Sequence, residues 1–120
     1  MPTYACDLDG MVFSFPSFFQ SFVPAMQAAG NKVGILTGRP ESEKDMLIEQ
    51  LKALAIAPDF FIGKPDDSQL PNGVFKAIAC RDLGIDILFD DFQCDDPKML
   101  ADFFSLNQKT IPFTSWAFQP

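Results

Sequence analysis

Short apolar runs alternate with longer helix-prone segments along the whole chain, and that alternation limits the fold more than any other feature of the sequence. Thr3–Cys6, Lys32–Leu36, Asp59–Ile62 and Asp86–Phe89 read as strands, and Thr110–Phe113 reads as a last one. Between them, Phe18–Ala29 reads as a helix closed by Gly30-Asn31 and weakened at Pro24, where a backbone donor is missing. Glu41–Ala55 is the strongest helix, with charges in its first turn and Met46, Leu47, Leu51 and Leu54 at roughly helical spacing. Gly63–Gly73 is rich in turn formers, and Val74–Leu83 is a helix ending at Gly84. Asp96–Leu106 is a further helix, preceded by acidic residues suited to its positive end.

Continuous apolar strands separated by helices predict a parallel sheet buried on both faces. The expected fold class is α/β: a three-layer, Rossmann-like parallel sheet with helices on both faces. From Asp7 to Thr37 is 30 residues, the length of one right-handed βαβ unit. The 120 residues, without repeat or linker, are expected to make a single domain, 1–120. Hydrophobic residues at 48% and charged ones at 21% fit a folded globule rather than a disordered chain. Fourteen Phe against one Trp and one Tyr suggest an interior packed with aromatic rings.

What the chain lacks narrows its chemistry. There is no His, which removes the Ser-His-Asp triad, the Cys-His pair and His-ligated zinc. Cys6, Cys80 and Cys94 form neither a CxxC pair nor an even-numbered framework, so reduced thiols are expected. Asp7 and Asp9 interrupt the N-terminal region too early for a signal peptide, and no apolar run approaches the length of a membrane span. The expectation is a soluble, cytoplasmic protein that does not engage a membrane.

In parallel α/β sheets the ligand site lies beyond the carboxyl ends of the strands. The polar residues at those ends are Asp7 and Asp9, then Thr37-Gly38-Arg39, then Asp90 and Asp91 with Asp95 following. An Asp-x-Asp-Gly turn is common by itself, since Asp and Gly are ordinary turn formers. Three strand tips together deliver an acid-rich cluster to one edge. Carboxylates converging without a cation repel one another, so the cluster implies a bound divalent metal. Oxygen donors without His or paired Cys favour Mg²⁺ over zinc.

The ordered set Asp7-Leu8-Asp9-Gly10, Leu36-Thr37-Gly38-Arg39, a Lys, then an apolar strand ending in Asp90-Asp91 with Asp95 four residues on resembles the haloacid dehalogenase-like phosphohydrolase superfamily. The resemblance runs from residue 3 to about 105 and lies in the order of the motifs. It implies an aspartyl-phosphate mechanism. Asp7 would be the nucleophile, and Asp9 the general acid and then base, with its backbone carbonyl on Mg²⁺. Thr37 would bind a phosphoryl oxygen, Asp91 would ligate Mg²⁺ with Asp90 beside it, and Asp95 would lie in the outer shell or orient the Lys. Lys64, in Gly63-Lys64-Pro65, looks like the lysine of many members; Lys76 looks like that of small phage and bacterial members. Lys76 is the favoured choice, because an uncertain polar stretch follows Lys64. Arg39 would contact a second anionic group or cap the structure. Met11 departs from the family, which usually has Thr or Val there.

The intervals between motifs leave no room for an inserted cap domain: 27 residues separate Asp9 from Thr37, and one helix uses most of them. The resemblance is therefore to the capless branch, which often acts on macromolecular phosphates or borrows a neighbouring subunit as a lid. The Phe-rich stretch 13–19 would supply a lid, a homo-oligomer interface or plain core packing, the last being commoner for such runs. The net charge is −7; setting aside Asp7, Asp9, Asp90, Asp91 and Asp95 leaves eleven acidic against nine basic residues. With no basic footprint, a phosphorylated small molecule or a nucleotide is at least as suitable a substrate as a polynucleotide end. The alternatives are a metal- and phosphate-binding module with weak catalysis and a receiver-type signalling domain. A receiver has its acidic pair first, its lone Asp mid-chain and its Lys last, an order that differs from this one.

Overall fold

A computed structural model describes residues 1–92 and 97–114. Five strands, β1 (Thr3–Cys6), β2 (Lys32–Pro40), β3 (Phe61–Lys64), β4 (Ile87–Phe89) and β5 (Ile111–Phe113), form one sheet in the order β3-β2-β1-β4-β5. Every neighbouring pair is parallel. Four helices connect them: α1 (Pro16–Ala28), α2 (Lys44–Ala53), α3 (Asn72–Leu83) and α4 (Pro97–Leu106).

Residue alternation along the strands sorts the core into two layers. Cys6, Val33, Ile35 and Phe89 face one side, where Phe19 and Val23 of α1 and Leu47 and Leu51 of α2 cover them. Ala5, Leu36 and Leu88 face the other, under Phe75, Ala77 and Cys80 of α3 and Met99 and Phe103 of α4. Each large apolar side chain buried this way contributes roughly 1.5–3 kcal/mol. The result is the three-layer α/β fold that the alternating pattern predicts, with no inserted cap domain among the described residues. No helix among them is long and apolar enough to cross a membrane.

Several boundaries differ from the sequence expectation. β2 continues past Leu36 to Pro40, because its end pairs with Lys64 across a register shift. β3 starts at Phe61 rather than Asp59, whose carboxylate instead accepts the Val33 N–H at 2.8 Å. The segment from Glu41 to Glu43 is a tight turn leading into α2 rather than α-helix. α1 begins at Pro16, a residue pre-set for a first helical turn, and tolerates Pro24 on its exposed side. Of the Phe-rich stretch, Phe19 is fully buried and Phe13 and Phe15 pack against the same core, so these three serve packing. The expected start of the last helix at Asp96, and Cys94, lie outside the described residues.

Candidate active site

β1 delivers Asp7 directly into the carboxyl edge of the sheet. The Asp7 N–H donates to the Phe89 carbonyl at 2.8 Å, which sets the tip of β1 beside the residue that precedes Asp90. After Asp7 the chain makes a wide, irregular turn over Leu8–Val12, with Asp9 extended and Gly10 left-handed, and the Leu8, Met11 and Val12 side chains are buried. Met11 is fully buried and packs into the apolar core beneath the turn. The turn leaves Asp9 pointing outward, 59% exposed, where it forms an ion pair with Arg39 at 2.8 Å. A second guanidinium nitrogen of Arg39 donates to the other Asp9 oxygen at 2.9 Å, and a third reaches Glu43 at 3.2 Å. This two-pronged contact holds the Asp9 carboxyl below the usual carboxylate range.

Lys76, on α3, is 2% exposed and lies between two carboxylates. Its Nζ is 3.2 Å from Asp7 Oδ2 and 2.5 Å from Asp90 Oδ2. The other Asp90 oxygen accepts the Phe92 N–H at 2.8 Å, so Asp90 is locked on both sides. Burial by itself would discharge the Lys76 ammonium; Asp7 and Asp90 together outweigh it and raise its pKa. Burial likewise pushes Asp7 up to about 7, with Lys76 pulling it down and Asp90 adding to the rise. Once Asp7 ionises, one ammonium shared by two buried carboxylates leaves a negative charge on the group.

Asp91 adds a third carboxylate. One oxygen each from Asp7, Asp90 and Asp91 lies within 4.8 Å of the others. Gly10 makes this possible: it adopts φ +78°, and a Cβ there would stand 2.0 Å from Asp91 Oδ2. Three converging carboxylate oxygens are a donor set suited to a small divalent cation. This cluster holds the side chains of Asp7, Asp90 and Asp91. The side chain of Asp9 is instead on Arg39, and Asp95 lies outside the described residues.

An open cleft of about 290 Å³ adjoins the cluster, lined by Asp7, Asp9, Thr37, Gly38, Arg39, Pro40, Asn72, Lys76 and Asp91. Thr37 is 1% exposed, and its Oγ1 accepts the Arg39 N–H at 3.1 Å, which leaves the hydroxyl hydrogen available to donate. Of the two lysines considered, Lys76 contacts the acidic cluster. Lys64 does not line the cleft but donates to Asn72 Oδ1 at 3.1 Å. Asn72 is a cleft residue without an obvious sequence signal, since an Asn just before an apolar helix reads as a turn or cap. The clue is its spacing: Asn72 stands four positions before Lys76, on the same helix face.

No family model matches the chain, and no curated protein matches it. Among solved structures, a chain of the Pnkp1/Rnl/Hen1 complex superposes with a TM-score of 0.73 at 16% identity, over 95% of this chain. This chain spans 46% of that chain's length. At such low identity the likeness is one of fold, and it agrees with the three-layer α/β architecture.

Proposed function

We propose that this chain is a haloacid dehalogenase-like phosphohydrolase of the capless kind, cleaving phosphomonoesters with Mg²⁺. The observation that carries the reading is the buried Lys76 shared between Asp7 and Asp90, with Asp91 beside them at an open cleft. Asp7 attacks phosphorus as the bond to the alcohol oxygen breaks, giving an aspartyl-phosphate, and Asp9 donates a proton to the departing oxygen. In the second step Asp9 takes a proton from water as that water attacks phosphorus and releases Asp7. Asp9 has to leave Arg39 to carry the proton, so the ion pair marks the resting state. Lys76 holds Asp7 in place and offsets charge through both steps, while Thr37 donates to a phosphoryl oxygen. Asp7, Asp90 and Asp91 would hold Mg²⁺, which would neutralise the phosphoryl charge.

The substrates that suit an open cleft are a small phosphomonoester, a nucleotide or a phosphorylated polynucleotide end. The fold shared with a chain of the Pnkp1/Rnl/Hen1 complex is a reason to include the last. The test is a screen of phosphorylated metabolites, nucleotides and 3′- or 5′-phosphorylated oligonucleotides, with Mg²⁺ and with excess chelator. Turnover should require Mg²⁺ and fall by about a thousandfold or more in Asp7→Asn. Activity surviving in Asp7→Asn would overturn the covalent mechanism, and equal activity in chelator would overturn the metal. Mg²⁺-dependent phosphate binding without turnover would reduce the chain to a binding module.

A further inference from the structure

The contact between Lys64 and Asn72 has a direction. An ammonium only donates, so the bond from Lys64 Nζ to Asn72 Oδ1 fixes which end of the amide is the oxygen and turns the NH₂ group elsewhere. That nitrogen comes up against Gly38, where a Cβ would stand 2.9 Å from it. Among the described residues it donates to no protein acceptor. Asn72 also opens α3 and lines the cleft one helical turn before Lys76. The cleft therefore holds an oriented neutral donor in addition to the Thr37 hydroxyl.

We infer that Asn72 is a substrate-binding residue, donating from Nδ2 to an oxygen of the phosphoryl group, and that Lys64 is the positioning residue that holds the amide in this sense. The inference rests on the phosphohydrolase reading above. A neutral donor suits this place, because it attracts an anion without competing with Lys76 for Asp7 and Asp90. Lys64, which does not line the cleft, then acts through Asn72.

The experiment titrates inorganic phosphate into the protein calorimetrically in the presence of Mg²⁺, alongside steady-state kinetics on p-nitrophenyl phosphate. Asn72→Ala should weaken phosphate binding about tenfold and raise KM comparably, with a smaller change in kcat. Lys64→Met should weaken phosphate binding about threefold, and Lys64→Arg, which keeps a donor, should recover most of the loss. Wild-type affinity in Asn72→Ala would overturn the role of Asn72. Equal deficits in Lys64→Met and Lys64→Arg would overturn the orienting role, and these two variants decide the matter should Asn72→Ala not fold. A wild-type protein with neither turnover nor Mg²⁺-dependent phosphate binding would overturn the phosphohydrolase reading and this inference together.

Discussion

Two buried polar networks stand at opposite ends of the sheet, and their difference separates architecture from chemistry. At the amino ends of β4 and β5, the Asn107 amide donates to the Ala77 carbonyl at 3.2 Å and to Thr110 Oγ1 at 3.0 Å. Its oxygen accepts the N–H groups of Lys109 and Thr110, each at 2.9 Å, and the Thr110 hydroxyl donates to the Ile85 carbonyl at 2.7 Å. That network is neutral and its members satisfy one another. The adjoining cavity of about 450 Å³ is larger than the cleft at the other end. Yet burial pushes the Cys80 thiol on its wall up to about 12, too high to supply a thiolate near neutral pH. At the carboxyl ends, one ammonium serves two buried carboxylates and a third carboxylate adjoins them. The first network ties α3 and α4 to the sheet. The second gathers three carboxylates around one ammonium beside an open cleft, the kind of setting in which perturbed carboxyl groups collect at functional sites.

Breaking the charged network should cost most. Lys76→Met leaves Asp7 and Asp90 facing each other without a cation and should lower stability by about 3–5 kcal/mol, read by urea unfolding in chelator. A loss below about 1 kcal/mol would mean that the ammonium is not what holds the pair.

A pH series sharpens the contrast further. Asp7 in the folded state keeps its proton up to about 7, whereas in the unfolded chain it loses it near 4. Between those values the native state binds more protons, so Asp7 contributes stability at low pH that is lost as pH rises through this window. Without Mg²⁺, Asp7→Asn should therefore gain on wild type from pH 4 to 7, by on the order of 3 kcal/mol at the upper end. Adding Mg²⁺ should recover stability in wild type and much less in Asp7→Asn. Parallel stability curves for the two proteins would contradict the shifted carboxyl.

The neutral network should give the smallest effect and the cleanest separation. Asn107→Ala leaves the Lys109 and Thr110 N–H groups without their acceptor, for a loss of about 2 kcal/mol. Turnover per folded molecule should not change. A large fall in kcat at full folding would show that the two ends communicate.

Much of this arrangement was legible in the sequence, for a physical reason. Strands buried on both faces must be continuously apolar, so the polar residue that ends each run stands out: Asp7 after Ala5-Cys6, Thr37 after Ile35-Leu36, Asp90 after Leu88-Phe89. Less legible were features made by pairing between distant segments. Thr37-Gly38-Arg39-Pro40 has the composition of a turn, yet pairing with β3 keeps it extended. The bond between Asp9 and Arg39 spans 30 positions, and nothing local announces it. Asn72 hid for a similar reason, since its partner Lys64 ends a strand and its own role depends on where α3 begins.

The placement of β1 carries a mechanical consequence. It is the innermost strand, bonded to β2 along one flank and β4 along the other, and Asp7 follows it immediately. Arg39, Pro40 and Lys64 sit toward the β3 margin, where the last strand has a neighbour on one flank alone. A strand held on one flank opens more readily than one held on both, so the backbone amides near Lys64 should exchange with solvent before those next to Asp7 do.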